Sequence, residues 1–154
     1  MSQKRIVMHF MNEKQQCRKF SFSFSVSYVK MKWNIYIGGD SMRLDEVREI
    51  LSAEVLWGDK YLDQEVEAAC GSDFMSDVLA YVKEQALLLT GLVNPQVIRT
   101  AEMMDMKCIV FVRGKKPGKE IIQMAEDRKI VIMSSPRRMY AACGLLYVNG
   151  LAGE

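Results

Sequence analysis

Four strand-like runs, each closing on a small or hydroxylated residue before a helical pattern begins, restrict this chain more than any other feature. The clearest is Cys108-Ile109-Val110-Phe111-Val112, which has no polar alternation and ends abruptly in Arg113-Gly114-Lys115-Lys116-Pro117-Gly118. A continuous apolar run of that length is a strand covered on both faces, and helical patterns on either side of it make a parallel α/β sheet its natural setting. The other three are Glu65-Val66-Glu67-Ala68-Ala69-Cys70 ending at Gly71, Ala86-Leu87-Leu88-Leu89-Thr90-Gly91, and Ile130-Val131-Ile132-Met133 followed by Ser134-Ser135-Pro136.

Helices fall between these runs. Leu44, Val47, Ile50 and Leu51 recur at helical spacing behind Asp45 and Glu46, where the helix dipole favours negative charge. Glu54-Val55-Leu56-Trp57 and the turn residues after it read as a brief strand. Ser72 and Asp73 offer a cap for a helix through Val78, Leu79 and Val82. Asn94-Pro95 opens the next helix, with Val97, Ile98, Ala101 and Met104 facing inward. Ile121, Ile122 and Ala125 line a further helix, and Ser134-Ser135-Pro136 repeats the cap-plus-proline start for a last helix reaching about residue 150. The alternation of strand and helix over residues 66–150 specifies the fold class: α/β, a three-layer α/β/α arrangement around a largely parallel sheet.

The 154 residues suit one domain, but their charge is unevenly spread. Residues 1–41 hold seven Lys/Arg against two Asp/Glu, and residues 42–154 fourteen against seventeen. The first segment alternates strictly in Phe20-Ser21-Phe22-Ser23-Phe24-Ser25-Val26-Ser27-Tyr28, as an amphipathic strand would, with Trp33-Asn34-Ile35-Tyr36-Ile37 as a hairpin partner. Gly38-Gly39-Asp40-Ser41 can equally be written in codons as a bacterial ribosome-binding sequence just ahead of Met42. The expectation is therefore that Met42 is the biological start and residues 1–41 an over-extended reading frame, leaving residues 42–154 as the single folded domain.

Composition excludes several chemistries. Cysteines 17, 70, 108 and 143 have no short spacing, so neither a zinc knuckle nor a redox pair is written here, and they read as reduced thiols of a cytoplasmic protein. No apolar run is long enough for a membrane span. The sole histidine, His9, lies in the first segment, so the domain has neither an imidazole base nor a histidine metal ligand, and no metal or cofactor is expected. Between Gly114 and Gly118 stand three residues where a phosphate-binding P-loop needs four, and Glu120 replaces its Ser/Thr. Asp73 and Asp77, one turn apart, read as a helix-start charge pattern. An aromatic-basic stripe for nucleic acid is missing from an acidic domain.

What remains is the edge where parallel strands end, the usual ligand edge of α/β domains. Ser72, Asp73, Thr90, Gly91, Asn94, Arg113, Gly114, Lys115, Ser134 and Ser135 are its candidate residues. Hydroxyls, glycines, helix starts and cations suit an anion or a nucleotide phosphate, although Ser72, Asn94 and Ser135 also serve as ordinary helix starts. On the last helix Met139, Ala142, Cys143 and Leu146 suffice for a core face, yet Tyr140, Leu145, Tyr147 and Val148 extend the apolar surface almost all round. Those four are the expected surface of a homodimer.

From Arg43 onward the chain resembles the DRTGG domain family, related to the N-terminal domain of HPr kinase/phosphorylase. The residues that carry the resemblance are Leu44-Asp45-Glu46-Val47, Glu54-Val55-Leu56, Gly71-Ser72-Asp73 with Met75-Ser76-Asp77-Val78, Leu88-Leu89-Thr90-Gly91, Ile109-Val110-Phe111-Val112 with Arg113-Gly114, and Ile132-Met133-Ser134-Ser135-Pro136. The string Asp-Arg-Thr-Gly-Gly itself is not present; Asp63-Gln64 and Thr90-Gly91 are the nearest pieces. The resemblance implies an α/β module like the HPr kinase N-terminal domain, with a regulatory role and no catalytic residues to carry over. The expected function is a non-enzymatic bacterial module sensing a nucleotide or other phosphorylated metabolite. The alternative is a protein-interaction or dimerisation module without a small ligand, with a regulatory protein as a further partner.

Overall fold

The computed structural model describes residues 41–82 and 85–153. The Phe/Ser strand, its hairpin partner and His9 lie outside the described residues. The elements in chain order are β1 (Met42–Arg43), α1 (Leu44–Leu51), β2 (Glu54–Trp57), a single 3-10 turn (Asp59–Tyr61), β3 (Glu65–Val66), β4 (Ala68–Gly71), α2 (Met75–Tyr81) and β5 (Leu87–Thr90). They continue as α3 (Pro95–Met103), β6 (Cys108–Phe111), α4 (Lys119–Asp127), β7 (Val131–Ser134), α5 (Met139–Val148) and β8 (Ala152–Gly153).

Six strands form the main sheet in the order β2-β7-β6-β5-β4-β8. The central strands β4, β5, β6 and β7 are mutually parallel, β8 adds parallel to β4, and β2 closes the other edge antiparallel to β7. Because β4 to β7 step across the sheet in one direction, connections of one hand put α2, α3 and α4 on the same face. There Met75, Val78, Val97, Ile98, Ala101, Ile121 and Ala125 pack on Leu88, Ile109, Phe111 and Ile132. The alternate strand residues Leu87, Leu89, Cys108, Val110, Val131 and Met133 point the other way, against Leu44, Val47 and Leu51 of α1 and Ala142 and Leu146 of α5. This two-sided burial is why the runs show no polar alternation. Each fully buried Leu, Ile, Val or Phe contributes roughly 1.5–3 kcal/mol of transfer free energy, and Leu88, Ile109, Val110 and Phe111 are all completely covered.

Three details depart from the sequence reading. The strand expected over residues 65–70 is divided at the exposed Glu67: β3 pairs antiparallel with β1 through Met42↔Val66 in a separate two-stranded sheet, while β4 enters the main one. The cap of α2 is Phe74 rather than Ser72 or Asp73, because both of those side chains are engaged elsewhere. The last helix begins at Met139, not after Ser135-Pro136: the Ser135 hydroxyl accepts from the Arg137 N–H at 3.2 Å in a local turn and donates to the Leu51 carbonyl at the end of α1 at 2.8 Å. Asn94-Pro95 behaves as expected: the Asn94 side-chain oxygen accepts from the Val97 N–H at 3.3 Å and Pro95 is the first helical residue.

Candidate functional site

The parallel register brings the carboxyl ends of four strands level, with Gly71 opposite Leu89, Thr90 opposite Phe111, and Phe111 opposite Ser134. The segments that leave those ends therefore meet on one edge. At its centre is the carboxylate of Asp73. Its Oδ1 accepts from the Gly91 N–H at 2.6 Å and from the Thr90 hydroxyl at 3.1 Å, and its Oδ2 from Arg113 Nη2 at 3.3 Å. Burial by itself would raise the Asp73 pKa, but the Gly91 N–H, the Thr90 hydroxyl and the Arg113 charge together hold it below the ordinary carboxylate value. The Lys115 ammonium donates to the Gly91 carbonyl, which ties the loop after β6 to the loop after β5.

Arg113 reaches this position through its backbone. Arg113 and Gly114 both have positive φ, 66° and 65°, and the Lys115 N–H points back to the Val112 carbonyl at 3.4 Å, so the chain turns sharply as it leaves β6. A non-glycine residue in the left-handed region costs on the order of 1 kcal/mol. The turn is held by the neighbouring loop, where Arg113 N–H donates to the Arg137 carbonyl at 2.7 Å and Gly114 N–H to the Ser135 carbonyl at 2.8 Å. Gly91 completes the fit: a methyl group there would take the space of the Arg113 guanidinium.

The ten candidate residues divide by what their groups touch. Asp73, Thr90, Gly91, Arg113 and Lys115 converge. Gly114 shapes the turn, and Ser134 braces it from below by donating to the Lys115 carbonyl at 2.9 Å. Ser72 accepts from the Phe74 N–H at 3.0 Å in a local turn, Asn94 caps α3, and Ser135 bridges to α1. One contributor carried little signal in the sequence: the Arg137 carbonyl acts through its backbone, which no side-chain pattern records. Phe74, next to Asp73 in the chain, is 71% exposed, where an isolated Phe in a helix-start segment looks like a core residue. Lys116 is paired outward with Glu54 at 2.5 Å. Among the described residues no group of three or more His, Cys, Asp or Glu side chains is placed to hold a metal ion, and no helix is long and apolar enough to cross a membrane.

A second feature lies along α5. Tyr140, Tyr147 and Val148 stand exposed, Tyr140 at 92%, beside an open, mostly apolar pocket of about 710 Å³ lined also by Ala141, Gly144 and Arg137. Leu145, expected on that surface, is partly buried against the α1 and α5 side of the core.

A three-layer α/β domain with a largely parallel sheet and a polar, ion-paired edge is the class that these observations define. The DRTGG domain model matches residues 46–147, and the chain belongs to that family. Among solved structures it is similar to the CBS and DRTGG domains of the regulatory region of Clostridium perfringens pyrophosphatase, a structure complexed with its activator diadenosine tetraphosphate. The TM-score is 0.56 at 16% sequence identity, and the match covers 90% of this chain and 57% of that one. No curated protein matches the chain significantly.

Proposed function

We propose that this DRTGG domain is a non-enzymatic regulatory module that senses a nucleotide or another phosphorylated metabolite at the carboxyl edge of its sheet. The observation that carries the reading is the convergence of the Gly91 N–H, the Thr90 hydroxyl, the Arg113 guanidinium and the Lys115 ammonium from two separate strand ends. A backbone N–H, a hydroxyl and a guanidinium are the donors that phosphate oxygens take. Phe74, which follows Asp73 in the chain, presents an exposed ring on which a nucleobase can stack. Family membership and the regulatory region that contains the similar structure support a sensing role. A thermal-shift series with nucleotides and phosphorylated metabolites tests the reading: a ligand stabilises the wild type by mass action and the Arg113→Ala variant far less. No stabilisation by any of them at millimolar concentration overturns it.

The exposed α5 face favours a second reading, self-association through Tyr140, Tyr147 and Val148, which bury against a second copy. Sedimentation of the wild type beside Tyr147→Asp decides it: the expected result is a dimer that the variant splits, and a monomeric wild type sinks the reading.

A further inference from the structure

The donors at the strand-end edge already have partners, and the nature of those partners separates them. Arg113 N–H and Gly114 N–H donate to the Arg137 and Ser135 backbone carbonyls of the loop after β7. Freeing these would require the backbone itself to move. The Gly91 N–H, the Thr90 O–H and the Arg113 guanidinium instead share one detachable acceptor, the side chain of Asp73. Its carboxylate is 43% exposed and the guanidinium 46%, so water and solutes reach the pair. A single rotation about Asp73 side-chain bonds releases all three donors at once.

We propose that the Asp73 carboxylate is a resident substitute for a ligand phosphate, which a phosphorylated ligand displaces from Gly91, Thr90 and Arg113 on binding. The proposal rests on the sensing function stated above and adds how the site is regulated. With Asp73 in place, the donors are satisfied and the Arg113 charge is offset, so the empty site costs no unpaired polar groups. An incoming phosphate has to replace the carboxylate on the same three donors. Its net gain is the difference between two charge-assisted sets of hydrogen bonds, not the full value of one. The Lys115 ammonium, held on the Gly91 carbonyl, is placed to offset the second negative charge brought by a phosphate. Such an arrangement sets affinity low by construction and rejects ligands that bring only a single weak acceptor.

The test is titration calorimetry of the full chain with ATP and with inorganic tripolyphosphate, on wild type, Asp73→Asn, Arg113→Ala and the double variant. Asn retains an acceptor oxygen for the Gly91 N–H and removes the competing charge, so Asp73→Asn binds both probes about tenfold more tightly than wild type. Arg113→Ala removes binding in either background. If the wild type binds and Asp73→Asn binds equally or more weakly, the displacement is wrong while the sensing site stands. If neither the wild type nor Asp73→Asn binds any probe, both fall. Amide NMR on the wild type supplies a check that does not depend on how the variants fold. Adding ATP shifts the Gly91 amide as its acceptor changes and leaves the Val97 amide, capped by Asn94, in place. A Gly91 amide that stays put in a protein that binds ATP overturns the displacement.

Discussion

The strand-end edge and the outer face of α5 lie on the same domain and solve opposite problems. At the edge, every described polar group of the central cluster has a partner, and the partners come from three different loops. On α5, Tyr140, Tyr147 and Val148 leave more than half of their largely apolar surface exposed. The first region discriminates through directional bonds that must be exchanged one for another, and it is sensitive to a single charge. The second can only gain by area, because hydrophobic contact is non-directional. A small-molecule reading belongs to the edge and a protein-partner reading to the helix, and substitutions in the two regions should behave differently.

The largest contrast is within α5 itself. Leu146 is buried against the sheet, so Leu146→Ala costs about 2–5 kcal/mol, whereas Tyr140→Ala on the outer side changes the stability of the monomer by no more than about 0.5 kcal/mol. Urea denaturation at low protein concentration measures both, and equal losses would erase the distinction between the two sides of the helix. Next, Thr90→Val leaves the Leu92 N–H without its acceptor and Asp73 without one donor, at about 1–3 kcal/mol. That loss extends to ATP affinity, and an unaffected titration would remove Thr90 from the site.

Gly91→Ala sharpens the comparison from the other side. Gly91 does not have positive φ, so the backbone itself tolerates alanine, and losing the half-exposed Arg113–Asp73 pair costs about 1 kcal/mol or less. The added methyl takes the guanidinium's place, and ATP binding falls severalfold with little change in Tm. A parallel drop in Tm would show instead that the edge is merely structural. The smallest effect is pH-dependent. Asp73 has a folded pKa below the ordinary value of 3.8, so its stabilising contribution is complete above that value and is lost as pH falls through the folded one. The stability difference between wild type and Asp73→Asn therefore narrows below about pH 4, only slightly because the pair is half exposed. A difference that does not change with pH would mean that Asp73 is not stabilised as a carboxylate.

Much of the scaffold was legible residue by residue. The unalternating runs at Leu87-Leu88-Leu89 and Ile109-Val110-Phe111 read as strands buried on both faces because their composition records burial directly. Asn94-Pro95 marked a helix start because capping is local. The candidate site was legible only as a set of strand ends. Ser72, Asn94, Ser134 and Ser135 carry the residue types of a binding site, yet their hydroxyl and amide groups are used for turns, caps and braces. Nothing in their types separates them from Thr90. Arg113 stood out as the cation after a strand, but its left-handed backbone, set by the Arg137 and Ser135 carbonyls, has no signature in sequence.

Sequence alone determined that this chain builds a largely parallel α/β sheet whose central strands end in small, polar or charged residues, because hydrophobic periodicity is a short-range property. Tertiary structure decided three things: that β4 separates from β3 at Glu67, that α1 and α5 share one face, and that the Asp73 carboxylate accepts from Thr90, Gly91 and Arg113 together. The physical reason is range. Gly91 and Arg113 lie 18 and 40 positions from Asp73 along the chain, and only the register of three parallel strands brings them within hydrogen-bond distance.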